Sequence, residues 1–319
     1  MKAIVQESYG STDGLKLEEI DMPVVGDDTV LVNVHAASVN ASDWYMMRRA
    51  PHVIGMLLRM PRTRVRGGDL AGRVEAVGRN VTRFKPGDEV FGAGVGSFAE
   101  YTASIERRLA PKPRNLTFEQ AATLATAGLT ALQGLRDTAG LHPGQRVLVY
   151  GAGGGVGTFA VQIAKALGAH VTAVSSTGNL DLLRSLGADD VIDYTKEDFT
   201  KRSQRWDVLF DVGGDRSLAD CRSALAPNGI HVLAGAGDSM RRIVPRLLGA
   251  QVRSRIGRQR IGSFMARGTH EDLLVLKELA ETGKLTPAID RTYSLSEVPD
   301  ALRYVGTRLA RGKVVIRVA

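Results

Sequence analysis

The sequence predicts an α/β protein in which a domain built on a parallel sheet is inserted into a β-rich domain. Up to about residue 113, short apolar-polar runs such as TVLVNVHAASV at 29–39 alternate with turn signals such as KPGD at 85–88, which is typical of antiparallel strands. From Arg146 onward, apolar strands alternate with helical patterns, which indicates βαβ units and a parallel sheet. The final strand, GKVVIRV, returns to the β-rich pattern.

A capped helix is predicted to lead into the inserted domain, and a second capped helix follows the arginine-rich stretch after it. In LTFEQAATLATAGLTALQGLRDTAG, Thr117 suits an N-cap with Gln120 three residues later, and Gly140 suits the helix end. In THEDLLVLKELAETG, Thr269 and Gly283 play the same two parts. We expect residues 1–118 and 262–319 to form the β-rich domain and residues 119–261 to form the inserted one.

Composition indicates an ordinary globular protein of a reducing compartment. Of the 319 residues, 44% are hydrophobic and 24% charged, and the single cysteine, Cys221, allows neither an internal disulfide nor a four-cysteine zinc lobe. The N-terminus, MKAIVQESYG, lacks the apolar core of a secretory signal, and no segment has the apolar length of a membrane span. We therefore expect a cytoplasmic protein.

The net charge of +8 raises the question of an anionic partner. Much of the excess lies in two arginine-rich runs, at 48–66 and 241–260, and neither run has the interleaved aromatic residues of a platform for nucleic-acid bases. A solvated surface, or a site for phosphorylated ligands, is favoured over nucleic acid.

A glycine-rich turn predicts a dinucleotide site. In VLVYGAGGGVGTFAVQIAKALGA, Gly151, Gly154 and Gly157 follow a strand and open a helix. Glycine permits the tight turn and the close approach of backbone to pyrophosphate, and the helix N-terminus, at Gly155 and Val156, supplies unpaired N–H groups and a positive dipole end.

The end of the next strand bears on which dinucleotide binds. An NAD site usually places a carboxylate there for the ribose 2′-hydroxyl, whereas this strand ends in Ser175 and Ser176, followed by Asn179. Without that carboxylate a 2′-phosphate is not repelled, and hydroxyl and amide groups can donate to it. NADPH is favoured over NADH, unless these are only polar turn residues.

Several segments carry a family resemblance over nearly the whole chain. They are VHAASVNASD, GGDLAGRVEAVGRNVTRFKPGDEVFG, GSFAEYT, AATLATAGLTAL, VLVYGAGGGVG, LGADDVIDY, SFMARG and GKLTPAIDRTYSLSEVPDALRYV. The chain resembles the medium-chain dehydrogenase/reductase superfamily in its zinc-free, quinone oxidoreductase-like branch, and within it the reticulon-interacting mitochondrial reductases and their bacterial relatives. The resemblance implies a GroES-like domain interrupted by a Rossmann domain, and a homodimer.

The resemblance also implies that no zinc is bound. Zinc alcohol dehydrogenases of the superfamily have a cysteine ligand where this chain has Asn40, and a Gly-His-Glu motif where it has Gly67, Gly68 and Asp69. Zinc requires cysteine, histidine or carboxylate ligands that converge on a tetrahedron. The six histidines are scattered without a metal-binding spacing.

In related quinone oxidoreductases an N-x-x-D-x-Y run lies beside the nicotinamide, and here it corresponds to Asn40, Asp43 and Tyr45. The resemblance implies that Tyr45 donates to the acceptor oxygen, directly or through water, and that Asn40 positions the acceptor. Asp43 either orients its neighbours or caps the following helix.

Other cofactor contacts follow from the resemblance. Thr126 matches a threonine near the nicotinamide, Tyr194 matches a tyrosine near the adenosine 2′-phosphate, and Asn179 stands where some relatives have a lysine for that phosphate. Phe264 and Met265 match residues that close over the cofactor from the other domain. The remaining candidates lie at strand carboxyl ends, where the crevice of an open parallel sheet forms: Asp211, Gly213, Ala234 and Gly235.

Together these features predict a zinc-independent, NADPH-dependent reductase that passes hydride to a quinone or an α,β-unsaturated carbonyl compound. Without a Lewis acid, negative charge that develops on a simple alkoxide loses its main stabiliser, whereas a conjugated acceptor spreads that charge. The alternatives are an enoyl-thioester or aldehyde reductase of the same superfamily, or an NADPH-binding regulatory or RNA-binding protein.

Overall fold

A computed structural model of the protein describes residues 1–48, 64–213, 215–234 and 258–319. The chain divides into two compact units. The β-rich unit comprises Met1–Leu129, Gly268–Gly283 and Pro287–Ala319, and the parallel-sheet unit comprises Thr130–Arg267 and Lys284–Thr286.

The β-rich unit is built on a seven-stranded sheet. Its order is β14-β15-β3-β4-β5-β7, with β6 also paired to β3, and all pairs are antiparallel except β14 with β15. A separate hairpin joins β1 and β2. In chain order the strands are β1 (Lys2–Gln6), β2 (Leu15–Glu19), β3 (Thr29–Val39), β4 (Asp69–Val77), β5 (Glu89–Ala93), β6 (Tyr101–Ile105), β7 (Leu109–Pro111), β14 (Ile289–Ser294) and β15 (Lys313–Arg317).

Alternation along β3 places Val30, Val32 and Val34 in a core that they share with Leu70 and Ile316. The described helices that accompany this unit are α1 (Ala41–Arg48), α2 (Phe118–Ala121), α3 (Leu124–Gln133), α7 (His270–Glu281) and α8 (Val298–Gly306).

The parallel-sheet unit has six strands in the order β10-β9-β8-β11-β12-β13, and every pair is parallel. The strand order reverses between β8 and β11, so the ligand crevice of such a sheet lies at their carboxyl ends. The strands are β8 (Arg146–Tyr150), β9 (His170–Ser175), β10 (Asp190–Asp193), β11 (Trp206–Asp211), β12 (Leu225–Leu233) and β13 (Arg260–Ser263), and the helices described here are α4 (Gly155–Ala166), α5 (Leu180–Ser185) and α6 (Leu218–Ser223). The predicted fold class is confirmed, although the sequence did not indicate β13.

The predicted caps are present, but the helix predicted over 116–140 is interrupted. Thr117 and Gln120 form a capping box, and Gly140 ends the last turn in the left-handed region, with φ of 62°. Between them, α2 ends at Ala121, and α3 passes into a π-helical segment, Gly134–Ala139. A Cβ at Gly134 would lie 2.5 Å from the Phe210 ring, so this segment packs closely against an aromatic side chain. Tertiary packing of this kind leaves little trace in the local sequence.

Three sequence features bear on the surroundings of the protein: the single cysteine, the lack of a predicted membrane span and the two arginine-rich runs. Cys221, the single cysteine of the sequence, is fully buried. Among the described residues there is no helix whose length and apolar character would let it cross a bilayer. Most of the two arginine-rich runs falls at 49–63 and 235–257, outside the described residues.

Candidate active site

The glycine turn after β8 is shaped by close backbone contacts. Gly151 has φ of +81°, and a Cβ on it would lie 2.8 Å from the nitrogen of Gly213. A Cβ on Gly157 would lie 2.3 Å from the carbonyl oxygen of Gly151. At Gly154 the nearest atom would be 3.7 Å away, an ordinary contact. The fold therefore requires glycine at 151 and 157, whereas Gly154 is free of that constraint.

The same turn presents the start of α4. Gly154 is the N-cap in an extended conformation and offers no capping side chain. The N–H groups of Gly155, Val156 and Gly157 come first in the helix, so no carbonyl of the helix can accept from them. Those donors and the positive end of the helix dipole suit the pyrophosphate of a dinucleotide.

Beside the turn, two predicted cofactor residues face inward. Ser175 and Asn179 are buried, and the Asn179 amide donates to the Ser175 hydroxyl at 3.0 Å and to the Ser176 hydroxyl at 3.3 Å. A Cβ on Gly153 would meet both side chains, at 2.6 and 2.4 Å. The Asn179 Oδ1 atom is buried without a hydrogen-bond partner, so the pair leaves one acceptor unsatisfied next to the glycine turn.

The strand after β9 adds an acidic group that the sequence did not single out. Asp193 accepts hydrogen bonds from the hydroxyls of Thr177 and Thr195, and these lower the pKa of its carboxyl to about 2. Tyr194, which follows it, is 51% exposed, and its N–H donates to the Ser175 carbonyl at 3.1 Å. The Tyr194 ring borders a surface depression whose other lining residues include Thr195, Lys196, Asp198, Lys201 and Arg202.

Of the candidate cofactor residues at the strand ends, Gly213 and Ala234 form hydrogen bonds through the backbone. Gly213 donates from its N–H to the Tyr150 carbonyl at 3.1 Å, and Ala234 donates to the Asp211 carbonyl at 2.9 Å. These two backbone bonds hold the carboxyl ends of β8, β11 and β12 together. Gly235 lies outside the described residues.

The side chain of Asp211 faces inward, and there it meets a histidine. Asp211 and the Nε2 atom of His231 are 3.0 Å apart, and with Cys221 they form a buried group whose potential ligand atoms lie within 4.8 Å of one another. The sequence pattern did not indicate this group, because the three residues belong to three different elements, β11, α6 and β12. The Asp211 and His231 side chains are both buried, so their contact joins β11 to β12 inside the sheet.

Phe264 and Met265 follow β13 directly and belong to the parallel-sheet unit. The Phe264 ring packs against Gly134, where a Cβ would lie 2.7 Å from it, whereas Met265 is 74% exposed. Phe264 is thus placed by packing, and Met265 is available to a ligand.

In the β-rich unit a buried polar group lies at the ends of three strands. Asp69 opens β4 opposite Ser38 of β3, Asn40 follows β3, and Lys313 opens β15. With Thr126 of α3, these four residues form what we call the Asp69 cluster. Asp69 and Ser38 are fully buried, and the side chain of Lys313 is 2% exposed.

Hydrogen bonds to Asp69 hold the cluster together. Its Oδ2 atom accepts from the Ser38 hydroxyl at 2.9 Å and from the Asn40 amide at 2.9 Å. Its Oδ1 atom accepts from the backbone N–H and the hydroxyl of Thr126, at 3.1 and 2.5 Å. The Lys313 ammonium donates to the Asn40 Oδ1 atom at 2.6 Å and lies 3.7 Å from Asp69. The predicted residues Asn40 and Thr126 are thus joined through one carboxylate.

Asp43 contributes both roles that the sequence left open. Its Oδ2 atom accepts from the backbone N–H of Asn40 at 2.8 Å, which fastens the first turn of α1 to the residue before it. This bond also fixes the backbone of Asn40. Burial raises the pKa of Asp43 to about 7, and the nearby Asp69 charge acts in the same direction, against the bond from Asn40.

Tyr45 lies one residue beyond Trp44 on α1 and is half-buried. Its hydroxyl accepts a hydrogen bond from the Arg308 guanidinium at 3.0 Å. Because that bond uses a lone pair of the oxygen, the Tyr45 proton is left for another acceptor.

The positions of the zinc ligands in the related alcohol dehydrogenases hold Asn40 and Gly68. The oxygen and the nitrogen of the Asn40 amide each make one hydrogen bond within the cluster, and a Cβ on Gly68 would meet no described atom within 4 Å. Of the cluster only Asp69 is a common zinc ligand, and its two oxygens already serve other donors. This donor set does not suit zinc.

The sequence did not indicate Ser38 or Lys313 as site residues. A lysine at the start of a strand usually reaches solvent, and the only local signal was its position between a glycine and the apolar run VVI. That glycine, Gly312, has φ of +99°, and a Cβ on it would lie 2.3 Å from the Ala288 carbonyl oxygen. The turn therefore sets where β15 begins and places Lys313 inside.

Comparison with known proteins gives two family matches in this chain. Residues 26–114 match the alcohol dehydrogenase GroES-like domain, and residues 186–316 match the family described as zinc-binding dehydrogenase. The first match covers most strands of the β-rich unit, and the second includes part of the parallel sheet and β15.

Individual relatives match over nearly the whole chain. The chain is 38% identical to 2-methylene-furan-3-one reductase of Solanum lycopersicum, over 99% of this chain and 79% of that protein. It is 36% identical to the human mitochondrial NAD(P)H oxidoreductase RTN4IP1, over 100% and 89%. The solved quinone oxidoreductase of Coxiella burnetii superposes with a TM-score of 0.88 at 32% identity, over 100% and 99%. The chain therefore belongs to the quinone oxidoreductase-like branch of the medium-chain dehydrogenase/reductase superfamily, and it is an oxidoreductase that uses a nicotinamide cofactor.

Proposed function

We propose that the protein is an NADPH-dependent, zinc-independent reductase that transfers hydride to a quinone or an α,β-unsaturated carbonyl compound. The observation that carries the proposal is the Asp69 cluster. Where related alcohol dehydrogenases have zinc ligands, Asn40 is hydrogen-bonded to a carboxylate and an ammonium. The chemistry must then rely on hydrogen bonds rather than on a Lewis acid.

The parallel-sheet unit supports the cofactor part of the proposal. The turn at 151–157 offers the backbone donors for a pyrophosphate. Ser176, which accepts from Asn179, and Tyr194, whose N–H donates to the Ser175 carbonyl, would hold the adenosine end. No carboxylate ends β9, and the Asp193 carboxylate is engaged by Thr177 and Thr195. These features favour NADPH over NADH. Bound there, the dihydronicotinamide would supply the hydride.

The β-rich unit supports the acceptor part. A quinone or enone spreads the incoming negative charge by conjugation, so hydrogen-bond donors suffice to stabilise it. Asn40 would position the acceptor, Tyr45 would donate to its oxygen, and Thr126 would contribute to the nicotinamide side. The tomato relative is named for 2-methylene-furan-3-one, an enone, and the Coxiella burnetii relative for quinones. Both names agree with such an acceptor.

The test is a titration of the protein with NADPH and with NADH, followed by addition of 1,4-benzoquinone, 9,10-phenanthrenequinone and a simple enone. We expect tighter binding of NADPH, seen as a change in nicotinamide fluorescence, and acceptor-dependent loss of NADPH absorbance. Activity should survive dialysis against a zinc chelator. Binding of NADPH without turnover of any acceptor would contradict the proposed reaction, and loss of activity with chelator would contradict zinc independence.

A Tyr45→Phe variant tests the proposed donor. We expect kcat for the quinone to fall by about tenfold or more, because a general acid or hydrogen-bond donor at the acceptor oxygen is lost. NADPH affinity should not change. The exposed residue Tyr9, whose hydroxyl accepts from Arg66 in a similar way, provides the control Tyr9→Phe, which should leave kcat unchanged.

Two further expectations stay predictions. The human relative is named as mitochondrial, so the cytoplasmic location needs a direct test by fractionation of cells that express the protein. The homodimer can be checked by light scattering of the purified protein.

A further inference from the structure

The Lys313 ammonium is a charge that the proposed reaction does not yet use. Its side chain is 2% exposed, and its neighbours are the Asn40 carbonyl oxygen at 2.6 Å and Asp69 at 3.7 Å. Burial lowers the pKa of this lysine, while the Asp69 and Asp43 charges oppose that effect. A buried charge costs stability unless it is paired and hydrogen-bonded, and Lys313 meets both conditions.

This arrangement determines how the Asn40 amide is oriented. An ammonium can only donate, so the atom of Asn40 that faces Lys313 must be the oxygen. A carboxylate can only accept, so the atom that faces Asp69 must be the nitrogen. The opposite orientation would set two donors against each other at Lys313 and two acceptors at Asp69. Unlike most amides, Asn40 therefore has one orientation that charge alone enforces.

The orientation has a chemical consequence. The Asn40 Nδ2 atom carries two hydrogens, and within the described residues its one hydrogen bond goes to Asp69. The second N–H is left for a ligand, and Asn40 is only half-buried. If the amide were reversed, the oxygen of the quinone or enone would meet the Asn40 carbonyl oxygen instead of an N–H donor.

We propose that Lys313 is a positioning residue of the reductase, which holds the Asn40 amide so that its N–H, rather than its carbonyl oxygen, is presented to the oxygen of the acceptor. The inference rests on the proposed function for its kinetic consequence, but the hydrogen-bonding part stands on the Asp69 cluster alone. Lys313 itself transfers no proton and touches no substrate.

The kinetic test compares Lys313→Met, Asn40→Ala and the double variant. We expect Lys313→Met to lower kcat for quinone by roughly 10- to 100-fold with little change in KM for NADPH, because the donor is no longer held in place. Lys313→Arg, which keeps the charge, should recover most of the loss. In the Asn40→Ala background, Lys313→Met should change kcat by less than about threefold, since its effect passes through the missing amide.

A matched control separates orientation from general stability. Lys112 of the β-rich unit also has a side chain that is only 8% exposed, and its ammonium donates to the Leu116 carbonyl at 2.7 Å. Lys112→Met should lower thermal stability as much as Lys313→Met does, yet leave kcat unchanged. Equal losses of kcat in both variants, or an undiminished effect of Lys313→Met in the Asn40→Ala background, would overturn the inference.

A second measurement needs no acceptor. In protein labelled with ¹⁵N-asparagine, the Asn40 side-chain NH₂ signals are assigned by their loss in Asn40→Ala. We expect Lys313→Met to shift them and to speed their hydrogen exchange by about tenfold or more, whereas Lys112→Met leaves them in place. Unchanged signals in Lys313→Met would overturn the inference. If wild-type protein reduces no acceptor but these signals respond as expected, the proposed reaction fails and the orienting role of Lys313 is upheld.

Discussion

The glycine turn after β8 and the Asp69 cluster differ in the atoms that form them: the turn consists of backbone atoms, and the cluster consists mainly of polar side chains. In the turn, backbone N–H groups are the proposed ligand donors, and Gly151 and Gly157 matter because side chains there would collide with backbone. In the cluster, side chains make most of the hydrogen bonds, and the Asp69 carboxylate accepts from side-chain groups of Ser38, Asn40 and Thr126. The turn depends on the absence of side-chain atoms at Gly151 and Gly157. The cluster depends on the charge and polarity of its side chains.

This difference predicts how each region fails. Added volume should disrupt the turn whatever the chemical nature of the added group, because the obstructing atoms are backbone. A change of charge at constant volume should leave such a turn intact, but it should disrupt the cluster, whose buried donors and acceptors have no water to replace a lost partner. Four substitutions test this contrast.

The largest effect is expected at Gly157. Its replacement by Ala places a Cβ 2.3 Å from the Gly151 carbonyl oxygen, so the turn must open. We expect a loss of about 3 kcal/mol or more in unfolding free energy and at least about 100-fold weaker NADPH binding. Gly154→Ala is the control, because its Cβ makes only an ordinary contact at 3.7 Å, so the stability should be unchanged. Thermal unfolding and fluorescence titration measure both, and NADPH affinity retained in Gly157→Ala would refute the steric explanation.

Asp69→Asn changes charge at nearly constant volume. One acceptor atom becomes an NH₂ group that faces donors, and the Lys313 ammonium loses its counter-charge. We expect destabilisation of about 3–5 kcal/mol, measured by urea unfolding. Asp27→Asn removes an exposed carboxylate that pairs with Arg79 at 2.7 Å, and it should cost at most about 1 kcal/mol. Similar values for the two variants would mean that the cluster contributes no more than a surface ion pair.

At Asp43, a buried carboxyl group near Asp69, the charge can be varied by pH instead of by substitution. Its pKa is about 7 in the folded protein against 3.8 for an unperturbed group, so the folded state holds a proton that the unfolded state releases between these values. Stability must therefore fall as pH rises from about 4 to 7, by up to about 4 kcal/mol, and Asp43→Asn should remove that fall. Relative to wild type, the variant should be more stable at pH 8 than at pH 5 by urea unfolding.

Asp193 provides the control of opposite sign. Its pKa is lowered to about 2, so the stability it contributes is present above the unfolded value and lost only in acid. The stability difference between Asp193→Asn and wild type should therefore be the same at pH 5 and pH 8. A slope for Asp193→Asn like that of Asp43→Asn would show that the pH effect is not specific to Asp43.

The smallest effect is expected beside the turn. Ser176 follows β9 and is half-buried, and Ser176→Asp introduces the carboxylate that an NAD site would have. We expect NADPH to bind about tenfold more weakly and NADH to bind at least as well, with stability unchanged. Ser185→Asp adds the same charge at the end of α5 and should not alter either affinity. Equal weakening of both cofactors by Ser176→Asp would place the 2′-phosphate elsewhere.

The sequence predicted the turn far better than the cluster, because the residues of the turn are close together along the chain and those of the cluster are not. Gly151 and Gly157 lie six residues apart, and the strand and helix around them are evident from the same short segment. Lys313 and Asn40 are 273 positions apart, and no local pattern joins them. The resemblance did identify Asn40 and Gly68 as positions without zinc ligands, but not the ammonium that lies beside Asn40.

The same distinction holds in the fold. The capping box at Thr117 was evident because both partners lie within one turn. The π-helical segment at Gly134 was not, because it depends on packing with Phe210. Asp193 was missed for a similar reason: its carboxylate is engaged by Thr177, which precedes it by a whole helix.

The place of β15 has a consequence for biosynthesis. This strand lies between β14 and β3 in the sheet, and its Lys313 meets Asn40 only after the chain between them, including the whole parallel-sheet unit, has left the ribosome. Until then Asp69 lacks the Lys313 ammonium, and residues 36–39 of β3 lack the strand with which they pair. Closing so long a loop is slow, so the nucleotide-binding half should be folded first and reductase activity should appear in one late step.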